Sequence, residues 1–179
     1  MEKGFVVWLT GLPGSGKTTI ARHLERHLKE MGLKVELLDG DEVRKWLSPE
    51  AGFSREDRER HLRRVAYVSK LLARNGVAVV ASFVSPYRSI REEARRIIEQ
   101  EGLKFVEVYV KCSLEECIRR DPKGLYKKAL SGEIKNMTGI QDVYEEPEKP
   151  EVIVDTEHEN PEECSRKILE TLRKLGCLQ

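Results

Sequence analysis

Short apolar runs alternate with longer amphipathic ones along this chain. Phe5–Thr10, Lys34–Leu38, Val77–Ser82, Phe105–Val110 and Val152–Val154 are strand-length runs rich in Val, Phe and Tyr. Runs this short and apolar suit strands buried in a parallel sheet. Between them the spacing turns helical. In 57–74, Leu62, Val65, Ala66, Ser69, Leu72 and Ala73 recur at intervals that line one helix face. Further helices are predicted over 17–31, 88–101, 114–120 and 161–175. Two of them carry start signals. Ser113-Leu-Glu-Glu116 reads as a capping box, and Asn160-Pro161-Glu-Glu163 sets a cap before a Pro at the first helical position. Strands alternating with helices predict a three-layer α/β sandwich, a parallel sheet covered on both faces.

One segment breaks the rhythm. "DPKGLYKKALSGEIKNMTGIQDVYEEPEKPE", residues 121–151, holds three glycines, three prolines and many lysines, with a short helical stretch at Leu125–Leu130. A connection this long in a compact domain is usually functional or disordered. It reads as a mobile lid over about 121–150, closing on a site.

Composition narrows the partners. The 179 residues fit one domain, 1–179. Lys plus Arg is 32 and Asp plus Glu is 31, a net charge of +1. That balance argues against a general nucleic-acid binder, which carries a basic excess. No apolar run approaches the roughly 18 residues of a membrane span, and no secretory leader is expected. Cys112, Cys117, Cys164 and Cys177 form no C-x-x-C pair, so free thiols in a cytoplasmic protein are expected.

The strongest chemical signal follows the first strand. Gly11-Leu12-Pro13-Gly14-Ser15-Gly16-Lys17-Thr18 matches G-x-x-x-x-G-K-S/T in full, between a strand and a helix as the motif requires. Glycines let backbone N–H groups turn inward around phosphate oxygens, and the helix N-terminus adds partial positive charge. Lys17 is placed to reach the β- and γ-phosphates of a nucleotide, and the Thr18 hydroxyl to ligate Mg²⁺. Such loops serve many reactions. A GTPase needs a guanine-reading Asn-Lys-x-Asp, and a motor ATPase needs an acid ending the third strand; neither is present. A nucleotide kinase often has Asp-Gly-x-Pro-Arg there, also absent. Size, one phosphate loop and a candidate lid favour a small-molecule kinase.

"LLDGDEVRKWL" leaves the second strand at the edge where open α/β sheets bind ligands. Asp39 is the candidate to hold a Mg²⁺-bound water. Asp41 is the candidate to orient or deprotonate an acceptor hydroxyl, or else it caps the following helix. Arg44, one turn on, suits an anionic group of the acceptor. In "GFSREDRERHLRR", Phe53 is either core or a stacking platform, and Arg58 either a bidentate anion ligand or a solvated charge. His23 and His27 mimic a metal pair but read as a solvated helix face. In "ASFVSPYRS", Ser85 is open as nucleophile, loop residue or cap; no base stands near it in sequence.

Taken together, "VWLTGLPGSGKTT", "LLDGDEVR", "GFSREDR", "ASFVSPYR", "DPKGLYKKA", "GEIKNMTGI" and "PEVIVDT" resemble the adenylyl-sulfate kinase (APS kinase) family, in its order and over about residues 4–175. The resemblance implies the stand-alone form, a P-loop kinase fold of five parallel strands in the order 2-3-1-4-5, and transfer from MgATP to the 3′-hydroxyl of adenosine 5′-phosphosulfate (APS). It implies ATP contacts at Gly11 to Thr19, the second threonine included, and near Arg120. It implies Mg²⁺ at Thr18 and Asp39, and catalytic roles for Lys17, Asp39, Asp41 and Ser85, the last on the family's phosphoserine position. Asp41, Arg44, Phe53, Arg58, His61, Ser85, Lys135 and Met137 fall on substrate-binding positions, Phe53 stacking on the APS adenine. Two residues depart from the pattern. His61 stands for the usual Asn, which would make affinity pH-dependent, and Met137 stands for the usual Phe, which would loosen the adenine sandwich. A homodimer is left open. So are two rivals: a kinase for another small acceptor, and a non-catalytic ATP-binding regulator.

Overall fold

A computed structural model describes residues 2–179. Its strands are β1 (Phe5–Thr10), β2 (Val35–Asp39), β3 (Ala78–Ser82), β4 (Lys104–Lys111) and β5 (Val152–Asp155). Its helices are α1 (Lys17–Glu30), α2 (Gly40–Leu47), α3 (Arg55–Arg74), α4 (Arg88–Glu99), α5 (Leu114–Arg120), α6 (Leu125–Leu130) and α7 (Pro161–Lys174). The five strands pair in parallel in the order β2-β3-β1-β4-β5, the order expected.

Side-chain alternation on β1 divides the core. Phe5, Val7 and Leu9 face a layer formed with Ile20, Leu24 and Leu28 of α1 and Ile168 and Leu172 of α7. Val6 and Trp8 face the other layer, with Leu62, Val65 and Ala66 of α3 and Ile90 and Ala94 of α4. Every residue of β1 is buried, as a central strand with two covered faces requires. The register aligns the strand ends. Leu9 and Asp39 both lie opposite Ser82, and Lys111 lies opposite Asp155. The carboxyl ends, and the loops that follow them, therefore meet on one edge.

The Ser113 hydroxyl accepts from Glu116 N and the Asn160 side chain from Glu163 N, but the capping box at Ser113 does not close, because Ser113 N donates to the Glu157 carboxylate and Glu116 pairs with Arg119 and Arg120. Helix α3 starts at Arg55, two residues before the apolar periodicity suggests. Its first turns, "REDRER", are polar and leave no hydrophobic trace, and the start is set by Ser54, whose hydroxyl accepts from Asp57 N at 3.2 Å.

The segment after α5 is anchored at both ends. Tyr126 of α6 donates its hydroxyl to the Pro13 carbonyl at 2.7 Å. The return limb runs along the loop after β3: Glu145 N donates to Pro86 O, Tyr87 to Asp142 Oδ2, and Arg88 to Glu146 O.

Candidate active site

The strand ends, the loop before α1, helix α2 and the candidate lid enclose one cavity of about 1300 Å³. Its wall includes Pro13, Gly14, Gly16, Lys17, Thr18 and Thr19, while Gly11, Leu12 and Ser15 stand behind them. Gly16 has φ +102, a conformation that side chains rarely adopt, and it turns the loop directly into α1. Lys17, the first residue of α1, is buried, and its ammonium donates to the carbonyls of Gly11 and Leu12, each at 2.9 Å. Burial pushes its pKa down to about 8. The Thr18 hydroxyl donates to Asp39 Oδ1 at 3.3 Å.

This loop fits a nucleotide polyphosphate. Lys17 is a buried cation held by two neutral carbonyls and no carboxylate within bonding distance. An anion would offset the burial that now depresses it. The hydroxyls of Ser15 and Ser82 are buried without hydrogen-bond partners among the described residues. Among the same residues no group of three His, Cys, Asp or Glu gathers as a metal cage. The donors present at Thr18 and Asp39 suit Mg²⁺, which is usually held by one or two protein oxygens together with substrate phosphates.

Arg120 braces the loop from the far side. It donates to Glu116 Oε1 at 3.0 Å, to Thr156 O at 2.9 Å and to Ser15 O at 3.4 Å. Thr156 adds its own bond to Ser15 O at 2.7 Å. The Arg119 guanidinium, with that of Arg120, holds the Glu116 carboxyl down at about 2. Thr156, Tyr126 and Lys123 were not singled out from the sequence, although the motifs that contain them were.

Asp41 lies in the first turn of α2 with an exposed carboxylate, paired with Lys123 Nζ at 3.1 Å. It does not cap the helix; Asp39 holds that position and makes no side-chain cap bond. The Arg44 guanidinium lies 4.5 Å over the Phe53 ring and donates to the carbonyls of Ala51 and Gly52. Phe53 is more than half exposed, so it is not core. Arg58 is no solvated charge either. It donates to Phe53 O at 2.9 Å, to Thr138 Oγ1 at 2.6 Å and to the Asn136 carbonyl. Lys135 is exposed on the cavity wall. Met137 reaches the same wall but is 7% exposed and packs with Cys112, Cys117 and Tyr126 under the lid.

His61 is 3% exposed and borders the cavity, its ring edge-on to Phe83. Its protonated nitrogen follows from its neighbours. Ser48 Oγ accepts from Arg64 at 3.1 Å and has no acceptor for its own proton among the described residues other than His61 Nδ1, 2.8 Å away, so the hydroxyl donates there. Nε2 then carries the ring proton, and it has no partner among the described residues. Burial, with the charges of Arg44 and Arg64, pushes the pKa down to about 4. A pH-dependent affinity is therefore not expected near neutrality. The titration falls on stability instead. Above the ordinary value of 6.5 neither state holds the proton. From there down to about 4 the unfolded chain binds a proton that the folded chain refuses, and stability falls by about 1.4 kcal/mol per pH unit. His61→Asn should flatten this acid limb, read as the urea midpoint against pH; an unchanged slope would contradict the assignment.

Ser85 has φ +40 and is buried. Its hydroxyl accepts from Trp8 Nε1 at 3.0 Å and donates to Phe83 O at 3.2 Å. Its carbonyl accepts from Arg91 Nη1 at 2.6 Å, and Arg91 in turn faces Glu107 of β4 across the core. His23 and His27 lie on α1 and converge on Glu162 of α7, at 3.4 and 3.1 Å. They act as an interhelix contact, with a carboxylate the sequence reading did not name.

A glycine-rich phosphate loop between β1 and α1 and an acid at the carboxyl end of β2, on a 2-3-1-4-5 parallel sheet, define a P-loop kinase-type domain. A model of the adenylylsulphate kinase family matches residues 3–155, and the chain belongs to that family. It is 63% identical over 157 residues to a probable adenylyl-sulfate kinase of Aeropyrum pernix, covering 88% of this chain and 86% of the relative. To the adenylyl-sulfate kinase of Myxococcus xanthus it is 52% identical over 175 residues, 98% and 94%. The structure of the Mycobacterium tuberculosis APS kinase in complex with AMPPNP and APS superimposes with a TM-score of 0.94 at 39% identity, covering 97% of this chain and 99% of the other.

Proposed function

We propose that the protein transfers the γ-phosphoryl group of MgATP to the ribose 3′-hydroxyl of APS, giving ADP and 3′-phosphoadenylyl sulfate. The observation that carries this reading is the single cavity shared by the phosphate loop and by Asp41, Arg44, Phe53 and Arg58. Gly11 to Thr19 hold the nucleotide phosphates, and Arg120 braces the loop. Lys17 neutralises charge on the transferring group. Mg²⁺, held through Thr18 and Asp39, supplies further charge neutralisation when bound. Asp41 orients the 3′-hydroxyl and accepts its proton. Phe53 stacks on the adenine, Arg44 and Arg58 hold the sulfate-phosphate anhydride, and the His61 Nε2–H donates to an acceptor atom of the same ligand. Lys135 and Met137 approach from the lid, whose closure excludes the water that would otherwise take the phosphoryl group.

ADP release from MgATP with and without APS tests the reading. Strict dependence on APS supports it. ADP formed only with a different acceptor, or binding of ATP with no turnover, replaces it with one of its rivals. A homodimer and a cytoplasmic location belong to the same proposal. All four cysteines are unpaired, and no described helix is long and apolar enough to cross a membrane.

Ser85 enters as a residue that shapes the acceptor pocket. Its proton is held by Phe83 O and one of its lone pairs by Trp8 Nε1, and direct transfer to the ribose needs no serine nucleophile. Ser85→Ala should keep kcat within about tenfold. It should also lose about 1–3 kcal/mol of stability, because the buried Trp8 N–H is left without a partner. Complete loss of turnover, with phosphoserine trapped from the wild type, would reverse this.

A further inference from the structure

Four carbonyls of the phosphate loop accept from side chains. Gly11 O and Leu12 O take the Lys17 ammonium at 2.9 Å each. Pro13 O takes the Tyr126 hydroxyl at 2.7 Å, and Ser15 O takes the Thr156 hydroxyl at 2.7 Å, with Arg120 farther off at 3.4 Å. The two pairs differ in kind. Lys17 is a cation that a polyphosphate would draw away. Tyr126 and Thr156 are neutral donors, with no charge to exchange for a phosphate. Burial pushes the pKa of the Tyr126 phenol up, so the hydroxyl keeps its proton. Tyr126 is 1% exposed and belongs to α6, whereas Thr156 follows β5. They therefore reach the loop from opposite ends of the 121–151 segment, across 113 and 141 positions in sequence.

Fixing a carbonyl fixes more than its oxygen. The peptide unit is planar and, with no cis bond among the described residues, its N–H points opposite to its C=O. The unit that offers Pro13 O to Tyr126 carries the Gly14 N–H on its other side. The unit that offers Ser15 O to Thr156 carries the Gly16 N–H. Both glycines line the cavity, and neither N–H has an acceptor among the described residues. Both adopt positive φ, +80 and +102, and glycine backbone is the freest to rotate. The two hydroxyls remove that freedom. Thr156 also backs Gly16 directly, where an added Cβ would lie 3.4 Å from its methyl group.

We propose that Tyr126 and Thr156 are positioning residues for the nucleotide: they hold the Pro13 and Ser15 carbonyls so that the N–H groups of Gly14 and Gly16 are aimed at a polyphosphate before it arrives. The inference rests on the nucleotide site of the reading above. Donors aligned in advance need no reorganisation during binding or transfer. The loop's grip on phosphate then depends on two hydroxyls that lie outside the G-x-x-x-x-G-K-T stretch itself.

The test measures binding of magnesium tripolyphosphate, MgADP and adenosine by calorimetry, beside APS-dependent ADP release. Tyr126→Phe removes one hydroxyl and keeps the packed ring. It should weaken tripolyphosphate and MgADP about fivefold, as expected for one net hydrogen bond. It should lower kcat/KM for MgATP by at least as much, while adenosine affinity and the KM for APS move by less than about twofold. Thr156→Val should do the same, and Thr156→Ser, which keeps the hydroxyl, should recover most of its loss. Wild-type affinity for tripolyphosphate in either Tyr126→Phe or Thr156→Val overturns the inference. So does an equal loss for adenosine and tripolyphosphate, or a loss that Thr156→Ser does not relieve, since both describe general damage. A wild type that binds tripolyphosphate, with the expected losses in the variants, but releases no ADP with APS removes the functional reading and leaves this inference standing.

Discussion

Lys17→Ala is expected to lower APS-dependent ADP release by about 10³-fold or more. The magnitude follows from how the side chain is held. Its ammonium is buried against two loop carbonyls and kept below its ordinary pKa by desolvation. Such a charge is oriented before the substrate arrives and acts where water does not screen it. A pH signature accompanies it. The free enzyme's Lys17 loses its proton near pH 8, whereas bound phosphate favours the charged form. MgATP affinity should therefore weaken as pH rises through about 8, by up to tenfold per unit, and Lys17→Ala should abolish that dependence. Calorimetric Kd values at pH 7, 8 and 9 check this. Near-normal kcat in Lys17→Ala would sink the phosphoryl-transfer assignment.

The second large effect is expected at Asp41. Asp41→Asn keeps the shape and removes the carboxylate that takes the 3′-hydroxyl proton, so kcat should fall by about 10²–10⁴-fold with little change in either KM. Stability should stay within about 0.5 kcal/mol of the wild type, because the carboxylate is exposed and its one ion pair is weak. A large catalytic loss at constant stability is hard to produce by general damage. Thermal unfolding and initial rates on the same preparation separate the two. If Asp41→Asn retains wild-type kcat, the proton goes elsewhere.

The sheet was legible because the three central strands bury nearly all their residues, and the apolar runs that mark them are local. The phosphate loop was legible because one contiguous motif carries the whole requirement, from Gly11 to Thr18. The cap at Asn160 was read the same way, and the one at Ser54 was missed although its hydroxyl acts within three residues. What remained hidden were contacts that depend on where loops land. Lys123 meets Asp41 across 82 positions, Arg58 meets Thr138 across 80, and Thr156 meets Ser15 across 141. The alternatives left open for Phe53 and Arg58 turned on burial and bonding, which no local pattern encodes. His61 gives the sharpest case. Its residue type suggested a pH sensor, while burial, with two guanidinium groups beside it, keeps it neutral.

Arg58 spends its donors on Phe53 O and on Thr138 and Asn136 of the lid. The residue proposed to grip the acceptor is thus also a clasp of the lid. Lid position and acceptor affinity then cannot be independent variables. Whatever free energy Arg58 exchanges with a ligand is added to, or withdrawn from, the balance between lid states, and by thermodynamic reciprocity the reverse holds equally. Thr138, which also lines the cavity, becomes a determinant of selectivity through this shared guanidinium. Substitution at Thr138 would then change how tightly the acceptor is held even where the residues that touch it are kept.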